Sequence, residues 1–283
     1  MLDFLNFLQP YAIWVGGLIG LLIGSFLNVV IHRMPLMLEQ QWQADMASAD
    51  EAQTALQPSF NLSTPSSHCP HCLHRLNWWE NVPVVSYLLL KGQCSGCHAH
   101  ISLRYPAIEL FTALAIAACF HHWGVSLQAC AWTGFVCTVL CLAVIDWDTT
   151  LLPDSLTQPL VWAGLIMAAL DESGQTLTQA LWGAVAGYLS LWSVYWIFKL
   201  ITGKEGMGYG DFKLFAALGA WFGWMALAPL ILLASLAGSA IGLVLQRRQK
   251  LRENHHIPFG PFLAMASGVY MVWGDFLTRL GWA

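Results

Sequence analysis

Charged residues are scarce in this chain: Lys, Arg, Asp and Glu make up 10% of its 283 residues, whereas 57% are hydrophobic. A soluble domain carries about 25% charged residues, so the composition excludes an ordinary soluble protein. Several apolar runs are long enough to cross about 30 Å of hydrocarbon as helices. The sequence therefore predicts an all-α polytopic membrane protein whose first partner is the lipid bilayer.

Other signals are also missing. The opening stretch MLDFLNFLQPYAIWVGGLIG has no basic segment before its apolar run and no small-residue cleavage site, so we expect a retained span and not a signal peptide. No convincing internal repeat supports a repeat-built transporter. The polar segment contains no glycine-rich fingerprint for a nucleotide cofactor. The net charge of −4 indicates no particular partner, and no nucleic-acid partner is expected.

The few basic residues are clustered, and the clusters predict the topology. Four lie in or beside a long polar segment that ends near residue 104, three surround the stretch GMGYGDFKLF at 206–215, and four form a tight group at 247–252. Lys and Arg accumulate in cytoplasmic loops, so all three regions are expected on the cytoplasmic side. An even number of spans must then separate consecutive regions.

Eight transmembrane helices satisfy this requirement. The apolar run at 212–246 is too long for one span, so we predict two helices there. The turn DESGQT at 171–176 is acidic, which fits the outer side of the membrane, and both chain termini are then expected outside. The predicted spans lie at about 11–31, 106–122, 127–146, 155–170, 178–199, 212–222, 225–246 and 257–275.

Two cysteine pairs, CPHC at 69–72 and CSGC at 94–97, lie in the polar segment. Two C-x-x-C pairs about twenty residues apart have the spacing of a four-cysteine zinc knuckle, and structural disulfides are disfavoured in the cytoplasm. We expect a closed, structural zinc site; two redox or free-thiol pairs are the alternative. The expected zinc ligands are Cys69, Cys72, Cys94 and Cys97.

The other cysteines and the neighbouring histidines have simpler interpretations. His71, His74 and His98 could replace a ligand, but four thiolates already complete a tetrahedron. The remaining cysteines lie in apolar spans, where packing is the default role of a thiol. These are Cys119, Cys130, Cys137 and Cys141.

These assignments divide the chain into three parts. Residues 1–31 form a first transmembrane helix, residues 32–104 a cytoplasmic zinc-binding domain, and residues 105–283 a transmembrane domain. Within the second part, the stretch EQQWQADMASADEAQTAL at 39–56 predicts a helix.

Two acidic clusters stand out at the predicted cytoplasmic face: AVIDWDTTLLPD at 143–154 and GYGDFK at 208–213. Acids at the ends of spans are costly and commonly functional. Two carboxylates that share one proton can perform aspartyl proteolysis, because the ionised one activates water while the protonated one donates to the scissile carbonyl. Taken alone, Asp211 is better explained as a helix cap, and Asp146 and Asp148 as members of a solvated loop. The two clusters together favour catalysis.

Three glycines precede the second acid. Gly206, Gly208 and Gly210 are expected to allow positive φ and close approach of another chain, which suits a place where an extended substrate lies beside the carboxylate. We therefore predict substrate-proximal backbone at these positions.

Several motifs together resemble the type IV prepilin peptidases, which are membrane aspartyl proteases with a G-x-G-D signature. GMGYGDFK matches that signature, and IDWDTTLLPDSLT resembles the segment that holds the family's first acid. Three further stretches resemble the family in the expected order: GSFLNVVIHRMP at 24–35, WWENVPVVSYLLLKGQC at 78–94 and IPFGPFLA at 257–264. The two thiol pairs match its long bacterial form, which has a zinc-binding cytoplasmic loop.

The resemblance implies an activity and a catalytic pair. Family members remove the basic leader from prepilins, or from the pseudopilins of type II secretion, at the cytoplasmic face of the bacterial inner membrane. Many of the long form then methylate the new N-terminal amine with S-adenosylmethionine. By motif, the catalytic residues are Asp146 and Asp211, and Asp148 is the weaker candidate because Asp146 lies seven residues before Pro153.

Some alternatives remain open from the sequence. The chain could be a peptidase without methyltransferase activity, a zinc-ribbon membrane scaffold, or a proton-coupled transporter. The scaffold leaves the paired acids without a role, and the transporter predicts acids near the membrane midplane. The methyl-donor site is expected to involve residues 32–104, while the oligomeric state and the individual substrate are not encoded in any pattern that we recognise.

Overall fold

The computed structural model describes residues 7–46, 60–247 and 257–277. This part of the chain is helical and contains no β-strand, only two isolated bridges that pair His68 with Arg75 and Gln93 with His100. The long helices are α1 (Ala12–Met46), α2 (Arg104–Trp123), α3 (Leu127–Thr149), α4 (Asp154–Ala169), α5 (Leu177–Thr202), α6 (Tyr209–Phe222), α7 (Leu227–Arg247) and α8 (Gly260–Leu277). The short helical turns are Gln9–Tyr11, Trp78–Asn81, Val85–Leu89 and Trp224–Ala226.

Four helical segments are long and apolar enough to cross a membrane: Gln9–Met46, Leu127–Thr149, Leu177–Thr202 and Trp224–Arg247. They confirm an all-α polytopic membrane protein. The expectation of eight spans goes further than this finding, although the eight long helices coincide closely with the eight predicted segments.

The first helix is longer than the sequence predicted. α1 continues past residue 31 and through Pro35 to Met46, so the polar segment begins as an extension of the first span. Pro35 removes one backbone donor but does not end the helix. The helix predicted over 39–56 is present as far as Met46, and the rest of it lies outside the described residues, as do the chain termini and residues 248–252 of the basic cluster.

The chain divides into two compact units, Met1–Cys137 and Thr138–Ala283. The boundaries predicted near residues 31 and 104 separate parts by their role and not by compactness. This division does not test them, and they stay a prediction. In the first unit, α1 packs along α2 through glycines. A Cβ on Gly20 would lie 2.6 Å from the Cα of Ala113, and one on Gly24 would lie 2.7 Å from the Cα of Glu109. Small residues at such positions let two helices approach closely.

In the second unit, α6 is the central helix. It packs against α4, α5, α7 and α8, and its residues from Asp211 to Phe222 are buried apart from the partly exposed Lys213. The indole N–H of Trp221 donates a 2.9 Å hydrogen bond to the carbonyl oxygen of Leu160 on α4. The helix ends where Gly223 takes a φ of 79°, so the prediction of two helices within 212–246 is confirmed.

Most thiols of the apolar helices are packed as expected. Cys119, Cys137 and Cys141 are buried, whereas Cys130 is exposed on the surface of α3. The packing interpretation therefore holds for three of the four and is wrong for Cys130 within this chain.

Candidate active site and metal centre

The four predicted zinc ligands lie together. Their sulfur atoms are all within 4.8 Å of one another, and the Sγ atoms of Cys69 and Cys97 are 3.8 Å apart, those of Cys72 and Cys94 3.9 Å. Four thiolates bound to zinc at about 2.3 Å form a tetrahedron whose edges are about 3.8 Å. The donor set and its spacing therefore fit a tetrahedral metal ion.

The two cysteine pairs adopt the same backbone turn. The N–H of Leu73 donates to the carbonyl oxygen of Cys69 at 3.0 Å, and the N–H of His98 donates to that of Cys94 at the same distance. Leu73 and His98 both have a φ of 57°, an unfavourable conformation for residues with a Cβ. The repeated turn brings the two sulfurs of each pair to one side, as a closed metal site requires.

A buried carboxylate connects the two halves of this loop. Glu80 accepts hydrogen bonds from the Ser95 hydroxyl and, at 2.6 Å, from the N–H of Asn77. It also lies 3.3 Å from Nε2 of His74. These donors, Ser95 first and the Asn77 backbone next, lower the pKa of Glu80 to about 2. Glu80 is thus ionised at neutral pH, and its contribution to loop stability is lost only as pH falls from the usual range of a glutamate towards about 2.

The predicted histidine substitutes remain outside the cluster in the described residues. His74 instead contacts Glu80 and Ser95, while His71 and His98 are exposed. Sequence reasoning missed Glu80, which the motif WWENVPVV contained without indicating its role.

The two predicted catalytic acids are both buried, and they interact electrostatically. Asp146 lies near the end of α3 and is 4% exposed, and Asp211 lies in the first turn of α6 and is 7% exposed. Asp146 contributes a Coulombic interaction to Asp211. Segments 65 residues apart in sequence thus bring two carboxylates into one protein interior, where an acid is retained mainly for function or strong pairing.

Asp211 also caps its helix, as the simpler interpretation predicted. Its Oδ2 accepts a 3.3 Å hydrogen bond from the N–H of Gly208, the residue that precedes α6. Its Oδ1 is buried and has no hydrogen-bond partner among the described residues. One carboxylate oxygen of Asp211 therefore caps the helix. The other is buried and accepts no hydrogen bond from the described residues.

Asp146 is oriented by a residue that sequence reasoning did not single out. The N–H of Gly260, at the start of α8, donates a 2.9 Å hydrogen bond to Oδ2 of Asp146. A Cβ on Gly260 would lie 2.6 Å from the same oxygen, so no larger residue fits there without a shift. The motif IPFGPFLA contains Gly260, but the sequence did not indicate that this glycine lies beside Asp146.

Leu152 packs against both the glycine before Asp211, Gly210, and the glycine beside Asp146, Gly260. Its side chain contacts Gly210 so closely that a Cβ there would lie 2.6 Å from Cβ of Leu152. A Cβ on Gly260 would lie 3.3 Å from Cδ2 of the same leucine. The loop that follows Asp146 therefore packs between the start of α6 and the start of α8, and fixes both acids relative to each other.

The three glycines before Asp211 do not have the conformation that we expected. None of Gly206, Gly208 and Gly210 has a positive φ; the left-handed glycine of this loop is Gly203, with a φ of 69°. The prediction of positive φ was wrong because the turn that needs it ends α5. The close neighbours of Gly206 and Gly210 are side chains of the same chain, Phe198 and Leu152, and substrate-proximal backbone at these glycines stays a prediction.

The neighbouring acids differ from the pair. Asp148 is exposed. Both carboxylate oxygens of Asp154 accept from Nζ of Lys213, at 2.6 and 2.7 Å. Glu205 accepts from Nζ of Lys199 at 2.8 Å, and this hydrogen bond lowers the pKa of Glu205. The burial of Asp146 beside the exposed Asp148 agrees with the motif assignment.

Two family models match this chain, one over the range with the cysteine cluster and one over the range with the buried acids. Residues 18–123 match the model of the bacterial peptidase A24 N-terminal domain, and residues 133–243 match that of the type IV leader peptidase family. The first range contains the cysteine cluster, and the second contains both buried acids.

Curated relatives cover nearly the whole chain. The prepilin leader peptidase/N-methyltransferase of Stutzerimonas stutzeri is 51% identical over 92% of this chain and 90% of its own. The protein of the same name from Pseudomonas aeruginosa is 49% identical over 93% and 90%, and that from Aeromonas hydrophila 51% over 93% and 91%. No solved structure matches the chain. The resemblance seen in the sequence is therefore confirmed, and the chain belongs to the bacterial type IV leader peptidase family.

Proposed function

We propose that this chain removes the basic leader from type IV prepilins or type II secretion pseudopilins by aspartyl proteolysis, and then N-methylates the new N-terminal residue with S-adenosylmethionine. The observation that carries the proposal is the buried, interacting pair Asp146 and Asp211. The names of the relatives, which are about 50% identical, support both activities.

The surroundings of the two acids suggest a division of labour. Asp146 accepts a 2.9 Å hydrogen bond from the N–H of Gly260, which favours its ionised form. Asp211 has a longer bond to Gly208 and one buried oxygen without a donor, which suits a protonated carboxyl. In this scheme Asp146 takes the proton from the attacking water and Asp211 donates a proton to the scissile carbonyl. The shared proton belongs to the pair and not to either residue alone.

The proposed membrane arrangement has eight spans in the bacterial inner membrane, with both termini outside and the active site facing the cytoplasm. α6 has 14 residues, which is about 21 Å of helix against about 30 Å of hydrocarbon. Such a short span is accommodated because neighbouring helices surround it and shield its ends from lipid. Lys199, Lys204 and Lys213 near the acids support the cytoplasmic placement.

The substrate fits this arrangement by charge and shape. A hydrophobic helix with a basic leader would lie in the bilayer and extend its leader into the cytoplasm. There Asp154 and Glu205 would face it, although they must exchange Lys213 and Lys199 for the basic groups of the leader. The exposed backbone at Gly206 and Gly208 then lies beside the extended segment that is cut.

The cysteine cluster holds a structural zinc ion in this proposal. Four thiolates leave no open coordination position for water, so the metal contributes folding energy to the loop and takes no part in cleavage. Zinc identity is supported by the all-sulfur tetrahedral donor set, which is typical of zinc in a chain that keeps its thiols reduced.

Replacing Cys72 by Ser is expected to lower the zinc content of the purified chain from close to one ion to well below half, and to lower its thermal stability. A hydroxyl is a much poorer zinc ligand than a thiolate, and structural zinc contributes directly to folding. Metal analysis and a thermal unfolding scan measure both effects. Cys130→Ser is the matched control, because Cys130 is an exposed thiol outside the cluster. Unchanged zinc content in the Cys72 variant would remove it from the ligand set.

The whole proposal is tested by incubating the purified chain with a prepilin and isotope-labelled S-adenosylmethionine, and weighing the product. We expect the mass to fall by that of the leader and to rise by one labelled methyl group. Cleavage without the methyl group would favour the peptidase-only alternative. An uncleaved prepilin, with an intact zinc loop, would favour a membrane scaffold.

A further inference from the structure

A cavity of about 470 Å³ opens in the first unit beside the cysteine cluster. Its wall combines two motifs that have no part in the proposed cleavage chemistry, GSFLNVVIHRMP of α1 and WWENVPVVSY, with the start of α2. Asn28 closes one side, because its amide nitrogen donates a 3.2 Å hydrogen bond to the carbonyl oxygen of Tyr105. Pockets of about 300–1,000 Å³ hold small organic ligands.

The cavity wall contains a buried carboxylate. Glu109 is 9% exposed, and its Oε2 accepts a 2.8 Å hydrogen bond from the N–H of Val84. Val84 has a φ of 60°, a strained conformation for a β-branched residue, and such strain is concentrated at functional sites. Gly24 of α1 packs directly against the backbone of Glu109. The carboxylate is thus fixed from two sides at a position where a ligand cation would be attracted.

The cavity wall also contains a positive charge. Arg33 is buried, and its guanidinium donates to the carbonyl oxygens of Asn61, Leu62 and Pro65 at 3.0, 3.3 and 2.6 Å. These partners are dipoles and not anions, so the charge of Arg33 is not neutralised by them. Arg33 lies nine residues along α1 from Gly24, the glycine next to Glu109, which corresponds to about 13 Å of helix axis. The cavity wall therefore carries the guanidinium of Arg33 together with the carboxylates of Glu109 and Glu80.

Two aromatic rings are also part of the cavity wall. Tyr87 and Tyr105 both contribute to the wall. The Tyr87 hydroxyl donates to the carbonyl oxygen of Ile101 at 3.3 Å, and the backbone of Gly92 approaches it closely with a φ of 69°. A ring held in this way can stack against a purine.

We infer that this cavity is the binding site for S-adenosylmethionine, with Glu109 facing the sulfonium, Arg33 towards the amino-acid carboxylate, and Tyr87 against the adenine. The inference rests on the proposed function, and specifies its methyl-donor site. In the reaction, the lone pair of the neutral substrate amine forms a bond to the methyl carbon while the carbon–sulfur bond breaks. Its electron pair stays on sulfur as a neutral thioether, and the methylated amine releases one proton to water.

Equilibrium dialysis of the full-length chain in detergent, with radiolabelled S-adenosylmethionine and S-adenosylhomocysteine as probes, tests the assignment without relying on turnover. Glu109→Gln keeps an acceptor for the N–H of Val84 but removes the charge. We expect it to weaken S-adenosylmethionine binding by about tenfold to a hundredfold. S-adenosylhomocysteine, which has no sulfonium charge, should be affected much less. Glu39→Gln, an exposed acid of α1 outside the cavity wall, should bind both probes like the parent.

A second pair of variants keeps the test decisive if Glu109→Gln disturbs the loop. Tyr87→Phe retains the stacking ring and should bind S-adenosylmethionine within about threefold of the parent, whereas Tyr87→Ala should bind about tenfold more weakly or worse. Zinc content reports loop integrity in each case. Equal loss of both probes in Glu109→Gln with zinc retained, parent-like binding in Tyr87→Ala, or a loss of prepilin binding in place of donor binding would overturn the assignment. If the parent binds the donor but never methylates a prepilin, the proposed methyltransferase activity fails while the site stands.

Discussion

Leader cleavage is expected to fall by about 10²- to 10⁴-fold when either Asp211 or Asp146 is replaced by Asn, which is the range that positioned acid–base groups contribute. The amide has the shape of the carboxyl group, so it can still accept a hydrogen bond from Gly208 in one variant and from Gly260 in the other. What it cannot do is exchange a proton with water or with the scissile carbonyl. Initial rates on a prepilin in detergent micelles measure the loss, and thermal unfolding shows that the variants fold.

The matched control is Asp148→Asn, which changes an exposed acid two residues from Asp146. It removes the same charge from the same segment but not from the buried pair, so cleavage should stay within about threefold of the parent, as most surface substitutions have small effects. Parent-like processing by either buried variant would show that the pair is not the catalytic centre. Loss of cleavage in Asp148→Asn alone would move the first acid two residues along the chain.

The sequence predicted those parts of the molecule whose signals are local. The C-x-x-C spacing located the four-cysteine cluster because each pair closes its own turn, and the long apolar runs located the helices because burial in a membrane requires them. The break at Gly223 could be anticipated from the length of the apolar run alone. Charge clustering predicted that Asp146 and Asp211 lie on one side of the membrane, and both are buried in the second unit of the structure.

Features that depend on distant contacts could not be obtained in this way. Gly260 and Leu152 orient the acids through packing between segments that are 58 to 114 residues apart, and neither residue type indicates such a role in the sequence. The positive φ that we expected at Gly206, Gly208 and Gly210 occurs at Gly203, since backbone conformation at a helix end depends on where that helix stops. Likewise, the orientation of Glu109 depends on the strained turn at Val84, which only the folded loop reveals.

Replacing Gly183 by Ala is expected to be among the most damaging single changes in the chain, although it adds only one methyl group. A Cβ on Gly183 of α5 would overlap the carbonyl oxygen of Gly219 on α6, and the reverse substitution would overlap Gly183. The obstacle is backbone on both sides, so no side-chain rotation relieves it and the helices must separate. We expect the cost to exceed the about 1–3 kcal/mol usual for overpacking. Thermal unfolding and the yield of folded protein measure it.

Gly134→Ala makes the identical change on α3, where nothing lies within 4 Å of the added methyl group. It should be neutral or stabilise the chain by up to about 1 kcal/mol, because alanine is the better helix former. The two variants should also differ in cleavage rate, because Gly183 contacts α6, the helix that carries Asp211. Displacement of a catalytic group by about 1 Å can cost about 10²-fold in rate. We therefore expect the folded fraction of Gly183→Ala to cleave poorly, while Gly134→Ala cleaves normally. Equal stability and activity in the two variants would mean that α5 and α6 do not need this contact to hold Asp211 in place.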